Sequence, residues 1–231
     1  MTSQVEQILQ LLQSCTTEQR RTVFEYLRKE FHIHSLEERL NTEAEIILEA
    51  IARDDTGLTF RMMRGVIAEA AFEIAVVEKL EGWNDTTPDG DLAYDFRLED
   101  DEGPVRVQVK LQRSKAGKPM RANQGYRDLS SEKYVVETQR TRGGKDPVTG
   151  EDTRPYRFGE FDILAVAMQP FTNDWNKFMY SVANWLLPRP NDETKLLKFQ
   201  PVAIESNDDW TDDFEECVRW LRSGKERRIA K

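Results

Sequence analysis

Eight consecutive residues, Phe161 to Met168, read FDILAVAM and constrain the fold more than any other stretch of this chain. A short run that is nearly all apolar fits a strand covered on both faces, since a strand with one wet face alternates. It is too short to cross a membrane, and no other apolar run is long enough. The remaining pattern supplies the cover. Met62, Met63, Val66, Ile67, Ala70, Ile74 and Val77 recur at helical spacing and predict one helix over 58–81, with that stripe as its buried face. Leu92 to Leu98 and Val105 to Gln112 read as strands on either side of an acidic turn, Glu99 to Pro104. Tyr134 to Gln139 and Lys198 to Ile204 read as short strands. Residues 174–187 read as an aromatic-rich helix, which would make Trp175, Phe178, Tyr180 and Trp185 core residues rather than a stacking platform for bases. Phe214, Val218 and Leu221 mark a closing helix. The order is that of a mixed α/β domain.

Ahead of it, residues 2–54 read as helices. Thr16–Gln19, Ser35–Glu38 and Thr42–Glu45 each have the spacing of a capping box, a hydroxyl followed three residues later by Glu or Gln. Asp54-Asp55-Thr56-Gly57 breaks the pattern. The expected organisation is a helical lobe over 1–56 and a larger domain over 57–231.

Val105-Arg106-Val107-Gln108-Val109-Lys110-Leu111-Gln112 alternates strictly. Its second face, Arg106, Gln108, Lys110 and Gln112, is polar, as an exposed antiparallel face or an active site would be. A hairpin would bring Asp95 beside Gln108 and Lys110. Asp and Gln oxygens suit Mg²⁺, which takes few protein ligands and keeps several waters. A lysine beside them can deprotonate a water or stabilise charge on a phosphate. On the preceding helix, Glu69 and Glu73 lie one turn apart, either as surface glutamates or as carboxylates with a buried partner.

Glu69 in GVIAEAAFE, Asp95 in LAYDF, and Gln108 and Lys110 in VRVQVKLQ together resemble the PD-(D/E)XK nuclease superfamily, in its Gln-x-Lys variant as in Mrr-type enzymes. The resemblance covers roughly 58–168. It implies a restriction-endonuclease-like αβββαβ core with a mixed sheet, to which the N-terminal helices are an extension. It implies a Mg²⁺-dependent DNA endonuclease, type II restriction-like, cleaving double-stranded DNA. The catalytic set would be Glu69, Asp95, Gln108 and Lys110, with Asp95 and Gln108 on the metal. Gln108 replaces the usual acid, and the literal Pro88-Asp89 lies upstream, so Asp89 or Asp91 competes with Asp95. Asp95 is preferred because it falls in the predicted strand. Cutting both strands of a duplex calls for two sites, hence a homodimer. The other reading is a non-catalytic DNA-binding or regulatory protein on the same fold.

The 231 residues carry a formal charge of −9, which taken alone argues against nucleic acid. The charge is unevenly spread. Residues 1–104 hold 10 basic and 23 acidic side chains, 105–157 hold 13 and 6, and 158–231 hold 10 and 13. The basic segment coincides with an insertion, 113–160, between the proposed catalytic strand and FDILAVAM. It reads either as a solvated loop or as a DNA contact through Lys115, Lys118, Arg121, Arg140, Arg142, Arg154 and Arg157, with Tyr126, Tyr134 and Tyr156 interleaved.

Other chemistry is poorly supported. Two cysteines, Cys15 and Cys217, make neither a disulfide framework nor a four-cysteine zinc site, and His32 and His34 add too few ligands. Ser130-Ser131 has no nearby histidine. Gly143-Gly144 lacks the context of a phosphate loop, so no nucleotide cofactor is expected. The N-terminus has no signal-peptide pattern. The expected setting is a reduced cytoplasm.

Overall fold

A computed structural model describes residues 3–31, 35–54, 57–140, 143–145, 150 and 152–231. The chain divides into two compact units, Met1–Arg61 and Met62–Lys231. Among the described residues, no helix is long and apolar enough to cross a membrane.

The first unit contains α1 (Gln4–Ser14), α2 (Thr17–Glu30), α3 (Ser35–Leu40) and α4 (Ala44–Ala52). Capping explains where these helices start. Thr16 and Gln19 form the expected box, and Ser3 and Glu6 form one that the sequence pattern did not single out. The other two expected boxes differ. Ser35 is already helical, and the cap residue of α4 is Glu43, which makes no side-chain cap bond. There the carboxylate of Glu37 accepts the Ala44 N–H at 2.8 Å. The same carboxylate pairs with Arg28 at 3.0 Å, and Arg28 also grips Glu45. A buried carboxylate thus replaces Thr42 as the cap, because it serves an orphan N–H and an arginine at once.

The second unit begins in α5 (Leu58–Ala75). This helix is shorter than predicted. Val76 leaves helical geometry at φ −121°, ψ −66°, and a 3₁₀ turn, Val77–Lys79, follows. The predicted buried stripe is also wrong: Met62, Val66, Ile67 and Ile74 are exposed. The helix docks instead through Ala68 and Phe72, both fully buried, with Ala71 and Ala75 beside them. Small residues let the backbone approach the sheet, and Phe72 fills the gap. Its ring lies 5.2–6.4 Å from those of Phe96, Phe178, Tyr180 and Phe214.

The strands are β1 (Asn84–Asp85), β2 (Phe96–Asp100), β3 (Gly103–Leu111), β4 (Ser114–Lys115) and β5 (Lys118–Pro119). A single helical turn α6 (Ala122–Gly125), β6 (Tyr134–Glu137), β7 (Ile163–Ala167) and a second turn α7 (Gln169–Thr172) follow. Next come β8 (Phe178–Val182), β9 (Pro188–Arg189), β10 (Asp192–Leu196), β11 (Phe199–Val202) and α8 (Phe214–Arg222). The main sheet has the order β1-β2-β3-β7-β8 and is mixed: β3 runs parallel to β7, and the other pairs are antiparallel. The fold is therefore mixed α/β, and among the described residues the α-helical segment between β3 and β7 is the single turn α6, beside β6 and β11.

Ile163–Ala167 of FDILAVAM form β7, buried at every position, between β3 and β8. Residues 174–187 do not form the predicted helix. Phe178–Val182 pair with β7 as a strand, a conformation that suits aromatic residues, and Phe178, Tyr180 and Trp185 are core residues in that setting. β11 forms within the predicted 198–204 strand but pairs with β6, outside the main sheet. The predicted 92–98 strand starts at Phe96, so Asp95 sits one residue ahead of β2, although its N–H still bonds Val107 O at 2.9 Å.

Candidate active site

The polar face of β3 is divided among separate tasks. Arg106 makes a forked ion pair with Asp162, at 2.8 and 3.0 Å, and ties β3 to the start of β7. Gln112 is buried and accepts the Phe171 N–H at 3.0 Å, which fixes α7. Lys110 faces a cleft of about 440 Å³, and Glu69 from α5, Asp95 from the turn before β2, and Arg140 from the insertion line the same cleft. Three of the four predicted catalytic residues therefore meet from three separate elements.

The fourth, Gln108, lies beneath them, 1% exposed. Its side-chain NH₂ donates to Asp95 Oδ2 and to Val109 O, the latter at 3.2 Å, while its carbonyl accepts from the Tyr156 hydroxyl at 3.0 Å. A carboxylate and a carbonyl can only accept, so they fix which way the amide faces. Asp95 Oδ2 also takes the Val109 N–H at 2.7 Å. Gln108 thus braces Asp95, and its own oxygen, the predicted ligand atom, is turned toward Tyr156.

The remaining candidates separate by position. Glu73 is exposed and does not line the cleft. Asp91 is exposed at the cleft wall, whereas Asp89 is exposed in the turn and lines neither this cleft nor the adjoining one of about 250 Å³. Lys115 and Lys118 are exposed on the β4–β5 hairpin, whose turn holds Ala116 and Gly117 at φ 49° and 74°. Arg121 lies over the Tyr134 ring at 4.4 Å and bonds Glu132 O at 3.1 Å. Arg154 covers Gly143 so closely that a Cβ there would meet its side chain at 1.8 Å. Arg157 bonds Thr194 at 3.3 Å. Arg142, His32 and His34 lie outside the described residues. Cys217 is buried, and burial pushes its thiol up.

Burial shapes the electrostatics of the cleft. Burial, then the charge of Asp95, push Glu69 up to about 7. Burial also raises Asp95, against the pull of Lys110 and of its hydrogen bonds from Val109 and Gln108. Burial lowers Lys110, against the pull of both carboxylates. Two half-buried carboxylates, each made harder to ionise by burial, are a donor set for a hard cation. Among the described residues no three His, Cys, Asp or Glu side chains cluster, so a cation here would keep most of its ligands as water.

Sequence reasoning missed Tyr156 as part of the site. Its only signal was an aromatic among cations in the insertion.

No family model matches the chain, and no curated protein matches it. Among solved structures, the bacterial homing endonuclease I-Ssp6803I is similar at 19% identity, over 69% of this chain and 90% of that one, with a TM-score of 0.36.

Proposed function

We propose that this chain is a divalent-cation-dependent, type II restriction-like endonuclease that hydrolyses double-stranded DNA. One observation carries the reading: Glu69, Asp95 and Lys110 converge on one cleft whose lining also includes Arg140. Asp95 and Glu69 would hold Mg²⁺, with Gln108 holding Asp95 in place. When bound, the ion supplies charge stabilisation at a phosphoryl oxygen and acidifies a water. The side chains do the rest. Burial makes the Lys110 ammonium easier to deprotonate, which suits it to exchange a proton with the attacking water. The water oxygen bonds phosphorus, one P–O ester bond breaks, and the leaving oxygen takes a proton from solvent.

The test is cleavage of supercoiled plasmid with Mg²⁺. Wild type should nick or linearise it, and Lys110→Ala should lose at least about 100-fold in rate with its fold intact. Duplex binding without cleavage under any divalent cation would overturn the reading in favour of a DNA-binding protein.

Two antiparallel strands call for two sites, and the first unit offers a means of pairing them. None of its described large apolar side chains is buried, and Val5, Ile8, Leu9, Leu11, Phe24 and Phe31 are each 53–67% exposed. Four of these six, Val5, Ile8, Leu9 and Leu11, lie on α1, where an apolar partner surface could cover them. The α1 face carries glutamines and one charged residue, Glu6, which is engaged in its cap. Two copies can therefore meet there without like-charge repulsion, and the occupant proposed is a second copy of this chain.

A further inference from the structure

We propose that Arg140 grips the phosphate to be cleaved and that Tyr156 is its positioning residue; this rests on the nuclease reading above and adds the residues that hold the anion.

The insertion is built to place these two side chains together. Gln139 bridges Pro155, and the Arg140 N–H bonds Arg154 O at 2.9 Å, so the two arms of the insertion lie side by side. The Tyr156 ring is buried and packs edge-on against Phe161 at 5.4 Å. It carries two cations: Lys110 Nζ lies 5.5 Å from its centroid and Arg140 Cζ 5.3 Å. Its hydroxyl holds Gln108. One residue of the insertion thus braces the acidic side of the cleft through Gln108 and Asp95, and seats both basic groups.

Two cations on one ring repel each other. The Arg140 charge opposes protonation of Lys110, adding to the larger effect of burial. Glu160 answers part of the charge, at 2.9 Å from Arg140 Nη2, but its other oxygen is already taken by the Arg157 N–H. Arg140 Nε is buried and donates to no group among the described residues. An anion entering the cleft would relieve this imbalance. The division of labour follows from the side chains. A guanidinium stays charged at any working pH and matches phosphate oxygens in a planar fork, whereas a buried ammonium can give up its proton. Arg140 would stabilise the charge that builds on the phosphoryl oxygens, and Lys110 would exchange the proton.

The test has two arms on the full chain. In EDTA, a short DNA duplex should shift the Nε–Hε resonance of Arg140, and Tyr156→Leu should weaken that shift where Tyr156→Phe keeps it. With Mg²⁺, Arg140→Ala should lower kcat roughly 100-fold with KM changed only a few-fold, and Arg140→Lys should recover part of the loss. An Arg140 resonance unmoved by saturating duplex, or a wild-type kcat in Arg140→Ala, overturns the proposal. A resonance that moves in a wild-type protein that cuts nothing overturns the nuclease reading alone.

Discussion

The two units of this chain treat their apolar residues in opposite ways. In the second, Phe72, Leu98, Val107, Ile163 and Trp210 are fully buried around one mixed sheet. In the first, the buried group among the described residues is a carboxylate, Glu37, and Val5, Ile8, Leu9, Leu11, Phe24 and Phe31 are exposed. A core of the first kind stabilises its unit without help. The second kind is what the proposed pairing of two copies would cover. The largest expected effect therefore belongs to the sheet. Phe72→Ala removes a ring with four aromatic neighbours and should destabilise the second unit by about 3–5 kcal/mol in urea unfolding. A monomeric first unit would feel Leu11→Ala by about 0.5 kcal/mol or less. A comparable loss at both positions would erase the contrast.

The next effect sharpens it. If a second copy covers the α1 face, light scattering at micromolar concentration should give twice the chain mass. Val5→Glu combined with Leu9→Glu, two exposed residues one turn apart on α1, should return the mass of one chain, with circular dichroism unchanged. A monomeric wild type, or a dimer that survives both substitutions, removes the second copy from that face. A smaller effect follows from Glu37. Glu37→Ala takes away the cap on Ala44 and a partner of Arg28. Hydrogen exchange should quicken in α3 and α4 while β3 and β7 stay protected. Equal loss of protection in both units would mean that they unfold as one.

What the sequence revealed follows the same divide. FDILAVAM and VRVQVKLQ announced β7 and β3 because burial on both faces and on one face leave different patterns. Of the residues lining the cleft, Lys110 was legible through its place on β3, and Glu69 and Asp95 through the helix and the hairpin that precede it. The docking face of α5 was not, because the residues that decide it are small. Ala68, Ala71 and Ala75 carry little hydrophobic signal, yet their size lets the helix close on the sheet, and the larger Val66 and Ile74 are left outside. β8 was misread because Trp175, Phe178 and Trp185 fall at helical spacing, and only the neighbouring β7 decides between strand and helix. The turn of Gln108 toward Asp95 was equally hidden, since it depends on Tyr156, 48 residues away.

The last and smallest effect tests a carboxylate that the second unit holds at a cost, Glu69. Glu69 has a folded pKa of about 7 against an ordinary value of 4.5. Below 4.5 its carboxyl is protonated in both folded and unfolded chains and contributes no pH dependence. Between 4.5 and 7 the folded chain holds more protons than the unfolded one. Stability should therefore fall as pH rises through this window and level off above it. Asp95, also raised, acts in the same direction, whereas Asp100 and Asp192, held low by Arg222 and Lys195, lose their contribution as pH falls. Subtraction isolates Glu69. In metal-free buffer, the melting temperature of Glu69→Gln minus that of wild type should be near zero at pH 4.5 and climb to a positive plateau above pH 7. A carboxylate whose removal stabilises the folded chain at neutral pH is retained for something other than folding, and a flat difference curve would place Glu69 among ordinary surface glutamates.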